Sequence, residues 1–294
     1  MEIFGIPLSA FMGQLLLGLV NGSFYAMLSL GLAVIFGLLG IVNFAHGALY
    51  MLGAFAAWMG LEYFGINYWF SLLLAPLIVG AIGVVIERTL LKRLYNVDPI
   101  YGLLLTFGLA LVIEGVFREQ YGVSGQRYGT PELLQGATNL GFMILPNYRG
   151  WVVVASLTIC LGTWFVIERT RLGAYLRAGT ENPKLVQAFG VNVPVMVALT
   201  YGAGAGLAAI AGVLAAPIIQ ITPLMGSNLI IVVFAVVVIG GMGSILGSIL
   251  TGVALGLIEG LTKVFYPEAS NIVVFVIMAI VLVIRPAGLF GKEK

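Results

Sequence analysis

The chain has 294 residues, of which 61% are hydrophobic and 9% charged, and its formal net charge is +2. A mean hydropathy of +1.09 leaves too little polar surface for a soluble domain of this length. So small and scattered a charge also excludes a nucleic-acid partner. The composition calls for an all-α polytopic membrane protein, a single transmembrane domain over 1–294.

The N-terminal MEIFGIPLSAF has no basic region ahead of its apolar run, so it does not read as a cleaved signal peptide. Hydropathy then predicts spans at about 10–36, 47–64, 69–91, 100–117, 151–167, 194–216, 228–240, 247–265 and 271–284. A hydrocarbon core of about 30 Å needs roughly 20 helical residues. The seventh span is short and runs into IGGMGSILG, the mark of a broken or re-entrant helix. Eight or nine transmembrane helices with Gly-rich interruptions are therefore expected.

The first span leads into GLLGIVNFAHGALYMLGAF (37–55). Gly40 and Gly47 flank Asn43 and His46, which would share a face if the segment were helical. His46 is the sole histidine, and both a structural hydrogen-bonded role and a ligand role are open to it. Gly240, Gly241, Gly243 and Ser244 form a counterpart after the seventh span. Broken helices at membrane depth are tolerated where they are buried or line a watery cavity. These two segments are thus candidate parts of a translocation pathway or its gate.

Intramembrane carboxylates are costly and are functional candidates by default. Glu114 and Glu259 are such groups, both expected near the outer ends of their helices where water is within reach, and Glu259 has Lys263 four residues on for a helical ion pair. Small residues repeat at four-residue steps in three spans: Gly18, Gly22 and Ala26; Gly204, Ala208 and Gly212; Gly252, Gly256 and Gly260. Such stripes let backbones approach closely, and they suit packing within one chain or a subunit interface.

The charge gathers in one segment, ERTRLGAYLRAGTENPKLVQAFGVNVP, which holds Glu168, Arg169, Arg171, Arg177, Glu181 and Lys184. Asn182 and Pro183 are a helix start, and Glu181 suits the positive end of that helix. Gly190 is a stop. The result is a short helix over about 183–189 that exposes Leu185, Val186 and Phe189, with a second over about 174–179. It either lies on anionic lipid headgroups or docks a soluble partner as an apolar peg rimmed by charge.

Lys and Arg collect on the cytoplasmic side. Placing 87–98, 168–193 and the C-terminal tail there puts ten basic residues inside, among them Lys292 and Lys294, against Arg118, Arg127, Arg149 and Lys263 outside. The N-terminus and the 118–150 loop are then external, and the C-terminus is cytoplasmic. No G-x-x-x-x-G-K-[ST] or H-E-x-x-H occurs. One His with one Cys builds no common zinc site, so neither catalysis nor a bound cofactor is expected of this chain.

The 168–193 segment resembles the coupling loop of ABC-transporter permeases for branched-chain amino acids, the LivH type. NFAHG (43–47), VVIGGMGSILGSILTGVALGLIEGL (237–261) and the IRPAGLFG ending (284–291) are similar to that family in the same order. The resemblance implies a subunit of an importer in the bacterial inner membrane. Its partners would be a second related permease, two cytoplasmic ATPases and a periplasmic binding protein that delivers leucine, isoleucine or valine. On that resemblance Arg171, Arg177, Glu181, Asn182, Leu185, Val186, Phe189 and Gly190 would couple to the ATPases. Asn43, His46, Gly240, Gly241, Gly243, Ser244 and Glu114 would belong to the pathway. An ion-coupled carrier or channel is the rival class, and urea, amides or aromatic acids are rival cargoes.

Overall fold

The computed structural model describes residues 2–3, 6–40, 42–95 and 97–291. Lys292 and Lys294, which enter the orientation argument, lie outside the described residues. After a two-strand turn, β1 (Glu2–Ile3) with β2 (Ile6–Pro7), the described chain is almost wholly helical. The helices are α1 (Leu8–Leu39), α2 (His46–Phe64), α3 (Tyr68–Thr89), α4 (Pro99–Tyr121), α5 (Asn147–Arg169), α6 (Arg171–Glu181), α7 (Pro183–Ala188), α8 (Val193–Ala215), α9 (Met225–Gly240), α10 (Ile245–Phe265) and α11 (Val273–Ile284).

Apolar helices occupy all nine predicted places, and six are long and apolar enough to cross a membrane. At 16 and 12 residues, α9 and α11 fall short of the roughly 20 residues a full span takes. The surface confirms the class. α3, α4 and α5 each turn large apolar side chains outward, among them Phe70, Leu77, Leu104, Val112, Val154 and Phe165, which suits lipid rather than water.

Polar side chains start the helices. Asn67, Asp98, Asn182, Asn192 and Ser244 each accept a hydrogen bond from a first-turn N–H, satisfying donors that a helix leaves unpaired. The connector predicted over 118–150 is shorter than expected, because α4 runs to Tyr121 and α5 begins at Asn147. It is pinned by β3 (Ala137–Asn139) paired antiparallel with β4 (Ile144–Pro146).

The chain divides into two compact units. One comprises 1–29, 129–160 and 232–294; the other comprises 30–128 and 161–231. In the first, two of the small-residue stripes meet each other. Gly18 faces Gly260, Gly22 faces Gly256 and Ala26 faces Gly252, so α1 and α10 run antiparallel with backbones nearly touching. A methyl group on Gly22 would stand 2.8 Å from the Val253 carbonyl oxygen. The stripes pack the chain's own helices. Tyr25 adds a hydrogen bond to Glu259 at 2.7 Å across the same seam.

In the second unit α8 is enclosed by α2 and α3. Gly202 meets the Gly80 carbonyl, Gly206 the Pro76 carbonyl, Ala209 the Gly53 position and Gly212 the Tyr50 carbonyl. Small side chains on several faces let one helix hold three neighbours, because Gly204 also abuts Gly31 and Ile35 of α1.

Ala at Gly256 is expected to destabilise the protein by about 1–3 kcal/mol through overpacking, seen as a lower thermal midpoint in detergent. Ala at Gly102, where a methyl group meets open space, should leave the midpoint unchanged.

Candidate functional site

The first helix break begins where Gly40 takes a left-handed conformation (φ 66°), ending α1. Asn43 does not share a helix face with His46, because α2 starts only at His46. Instead its side-chain oxygen accepts from the Ala45 N–H at 3.1 Å, and its carbonyl accepts from the His46 N–H at 3.3 Å. Asn43 and His46 are both buried. His46 packs where Gly31 has no side chain, its ring 2.8 Å from where a methyl group there would stand. Thr106 of α4 stitches the break: its hydroxyl accepts from the Phe44 N–H at 3.2 Å and lies 3.2 Å from the Val42 carbonyl. Sequence reasoning missed Thr106, since one threonine in an apolar helix carries no signal.

The intramembrane carboxylates are more enclosed than their places near helix ends predict. Glu114 is 6% exposed and accepts a hydrogen bond from Ser227 at the start of α9. It therefore does not reach water: the Gly47–Gly226 contact brings α2 against α9 beside Ser227, Glu114's partner. Glu259 is 7% exposed and pairs with Lys263 and Tyr25, the structural role expected of it. Glu87, at the end of the predicted third span, lies in the last turn of α3, 2% exposed, and accepts from Tyr95 at 2.5 Å. Burial first, and then the Glu87 carboxylate, push the Tyr95 phenol well above its ordinary value, so it stays a donor.

The second break uses the same device. Gly241 (φ 98°) and Gly243 (φ 93°) end α9, and three residues after Gly241 the Ser244 hydroxyl caps α10 by accepting from the Gly247 N–H at 3.1 Å. The terminal segment then closes over it. Leu289 N–H donates to the Ile239 carbonyl at 2.8 Å and Phe290 N–H to the Gly240 carbonyl at 3.2 Å. Gly288, also left-handed, lies on Gly241 with no room for a side chain on either. The chain after α11 thus reaches back to the end of α9. The first break belongs to the second unit and this one to the first.

The charged segment is a folded elbow. α6 is longer than expected, so Glu181 closes α6 rather than simply preceding α7. Gly173, Leu176 and Gly179 form the buried stripe of α6, the first seated on the Ile167 carbonyl at the end of α5 and the last on Met196 of α8. Arg177 turns back, donating to the Ile167 carbonyl at 2.8 Å with Glu168 3.5 Å away. Asn182 caps α7, and Gly190 (φ 85°) ends the turn after it. Leu185 is 54% and Phe189 80% exposed, but Val186 is 8% exposed and faces inward. Leu185 and Phe189, four apart, share a face, whereas Val186 is rotated about 100° from Leu185. Arg171, the first residue of α6, is exposed.

The sequence profile described as branched-chain amino acid transport system, permease component, matches residues 14–282. The chain is 29% identical to the high-affinity branched-chain amino acid transport system permease protein BraD of Pseudomonas aeruginosa, covering 97% of each. It is 29% identical to the permease protein LivH of Escherichia coli K12, covering 97% of this chain and 96% of the relative. The galactofuranose transporter permease protein YtfT of the same organism is 31% identical over 60% of this chain and 54% of its own length. No solved structure matches.

Arg177→Gln is expected to speed limited proteolysis between α5 and α6 several-fold in detergent, because the α5 terminal carbonyl loses a charge-assisted donor. The exposed Lys184→Gln should cut at the parental rate.

Proposed function

The chain belongs to the family of branched-chain amino acid transport system permease components, and on that premise we propose that it is the membrane-spanning permease of an ATP-driven importer of leucine, isoleucine and valine. The family match along residues 14–282 carries this assignment. The chain works with a second related permease, two cytoplasmic ATPases and a periplasmic binding protein, in the inner membrane with its C-terminus in the cytoplasm. It binds no cofactor, and ATP is hydrolysed on the partner subunits.

The elbow is the handle. The exposed Leu185 and Phe189, with Arg171, Glu181 and Lys184 around them in the chain, suit an apolar groove with a charged rim on an ATPase. Arg177, Asn182, Val186 and Gly190 hold the elbow's shape. Closure of the ATPases pulls the knob. Because α6 is seated on the ends of α5 and α8, the displacement passes into those helices instead of being absorbed by a slack loop. The left-handed glycines at the two breaks are the natural pivots. Asn43, His46, Glu114, Gly240, Gly241, Gly243 and Ser244 line or gate the path. Glu114 and Glu259 are each bonded to protein groups, which supports ATP over ion binding as the driving reaction.

Leu185→Ser with Phe189→Ala should cut ATP-driven uptake in reconstituted vesicles at least tenfold, with unchanged amounts in the membrane, because both side chains are exposed. Uptake by the parent should survive a protonophore. Uptake that collapses with the protonophore and persists without ATPases would overturn the assignment.

A further inference from the structure

The strap that follows α11 crosses the second break rather than lying to one side of it. Before the break, the Leu289 and Phe290 N–H groups donate to the Ile239 and Gly240 carbonyls, the last two of α9. After the break, the Phe290 Cβ lies 3.0 Å from where a methyl group on Gly247 of α10 would stand. At the break itself, the Gly291 nitrogen lies 2.4 Å from where a methyl group on Gly241 would stand. Arg285 turns the strap back, its carbonyl accepting from the Gly288 N–H at 2.9 Å. For all this contact the strap is held lightly. Of residues 285–291 only Gly288 is buried, while Leu289 is 44% and Phe290 46% exposed.

A fastened strap and a turning break exclude each other. Gly240 and Gly247 stand on either side of the break with their backbones in contact. Rotation at Gly241 or Gly243 moves one against the other, and a strap bonded to the first and packed on the second has to let go. The structure permits it. No large strap side chain is buried, so release gives up chiefly two main-chain hydrogen bonds. The freed carbonyls then need other donors, since a helix end in an apolar setting must stay satisfied. In a dry break the strap supplies those donors; in a break open to water, water does. Fastening goes with a dry break and release with a wet one.

We infer that residues 288–291 are a latch on the second break, fastened while the break is closed to water and released when closure of the ATPases moves the helices. This rests on the pivot role given to the break in the transport cycle proposed above. Because release and ATPase closure are linked, weakening the latch favours closure in return. The latch thereby restrains ATP hydrolysis in the absence of cargo.

The test is amide hydrogen exchange of the intact transporter in lipid nanodiscs, nucleotide-free and trapped with ATP and vanadate. Exchange at Leu289 and Phe290 should be about tenfold faster in the trapped state, with the α10 peptide around Leu255 unchanged. Equal or slower exchange in the trapped state overturns the latch, and this reading needs no variant to fold. Gly288→Ala sets a methyl group 2.5 Å from the Gly241 Cα at a left-handed position. It should exchange fast in both states and raise ATP hydrolysis without the binding protein several-fold per assembled transporter. A purely structural cap gives unchanged or lower hydrolysis, and that result overturns the latch. Normal uptake by the parent alongside either overturning result leaves the transport function standing. A parent that moves no amino acid when supplied with ATP overturns the transport function instead.

Discussion

Everything in this molecule depends on helices touching through glycine. In lipid, apolar side chains gain little by leaving hydrocarbon for one another, so association relies on van der Waals contact and hydrogen bonds. Removing the Cβ is the direct way to shorten the distance. Here it is done at Gly22 with Gly256, Gly53 with Ala209, Gly47 with Gly226, Gly240 with Gly247 and Gly241 with Gly288. The polar contacts follow from that closeness. Tyr25 reaches Glu259 only because α1 and α10 lie against each other, and Ser227 reaches Glu114 next to the Gly47–Gly226 contact.

Glycine serves a second purpose at the breaks. Gly40 and Gly241 each turn left-handed at a helix end, and three residues later Asn43 and Ser244 each supply a side-chain oxygen to a backbone N–H. A chain interrupted within an apolar setting must satisfy its own backbone. Thr106 meets that need at one break and the terminal segment at the other. The IRPAGLFG ending is thus structural, since it occupies the last carbonyls of α9, which would otherwise have no partner.

Local pattern carries much of this in the sequence. The nine apolar stretches, the four-residue stripes, the cap at Asn182 and the stop at Gly190 all depend on near neighbours, and each is visible as spacing. What stays hidden depends on distant partners. Glu87 sits among arginines and lysines along the chain, yet in space it belongs to Tyr95. A helix end predicts exposure for Glu114, but Ser227, far along the chain, covers it. Val186 and Phe189 are alike in type, and only the packing beneath α7 decides which one turns inward. Arg177 reads as a surface charge and is in fact the donor to the end of α5.

The pairing of α1 with α10 also bears on how the protein is made. Tyr25 and Glu259 are 234 positions apart, so the glycine surface of the first helix enters the bilayer long before its partner leaves the ribosome. During that interval it offers lipid, insertion factors or other nascent helices a bare backbone groove. Residues 288–290, later still in the chain, then fasten the end of α9. A chain interrupted before α10 therefore presents quality control with an unclosed groove, and one interrupted before residue 288 with an unsealed helix end.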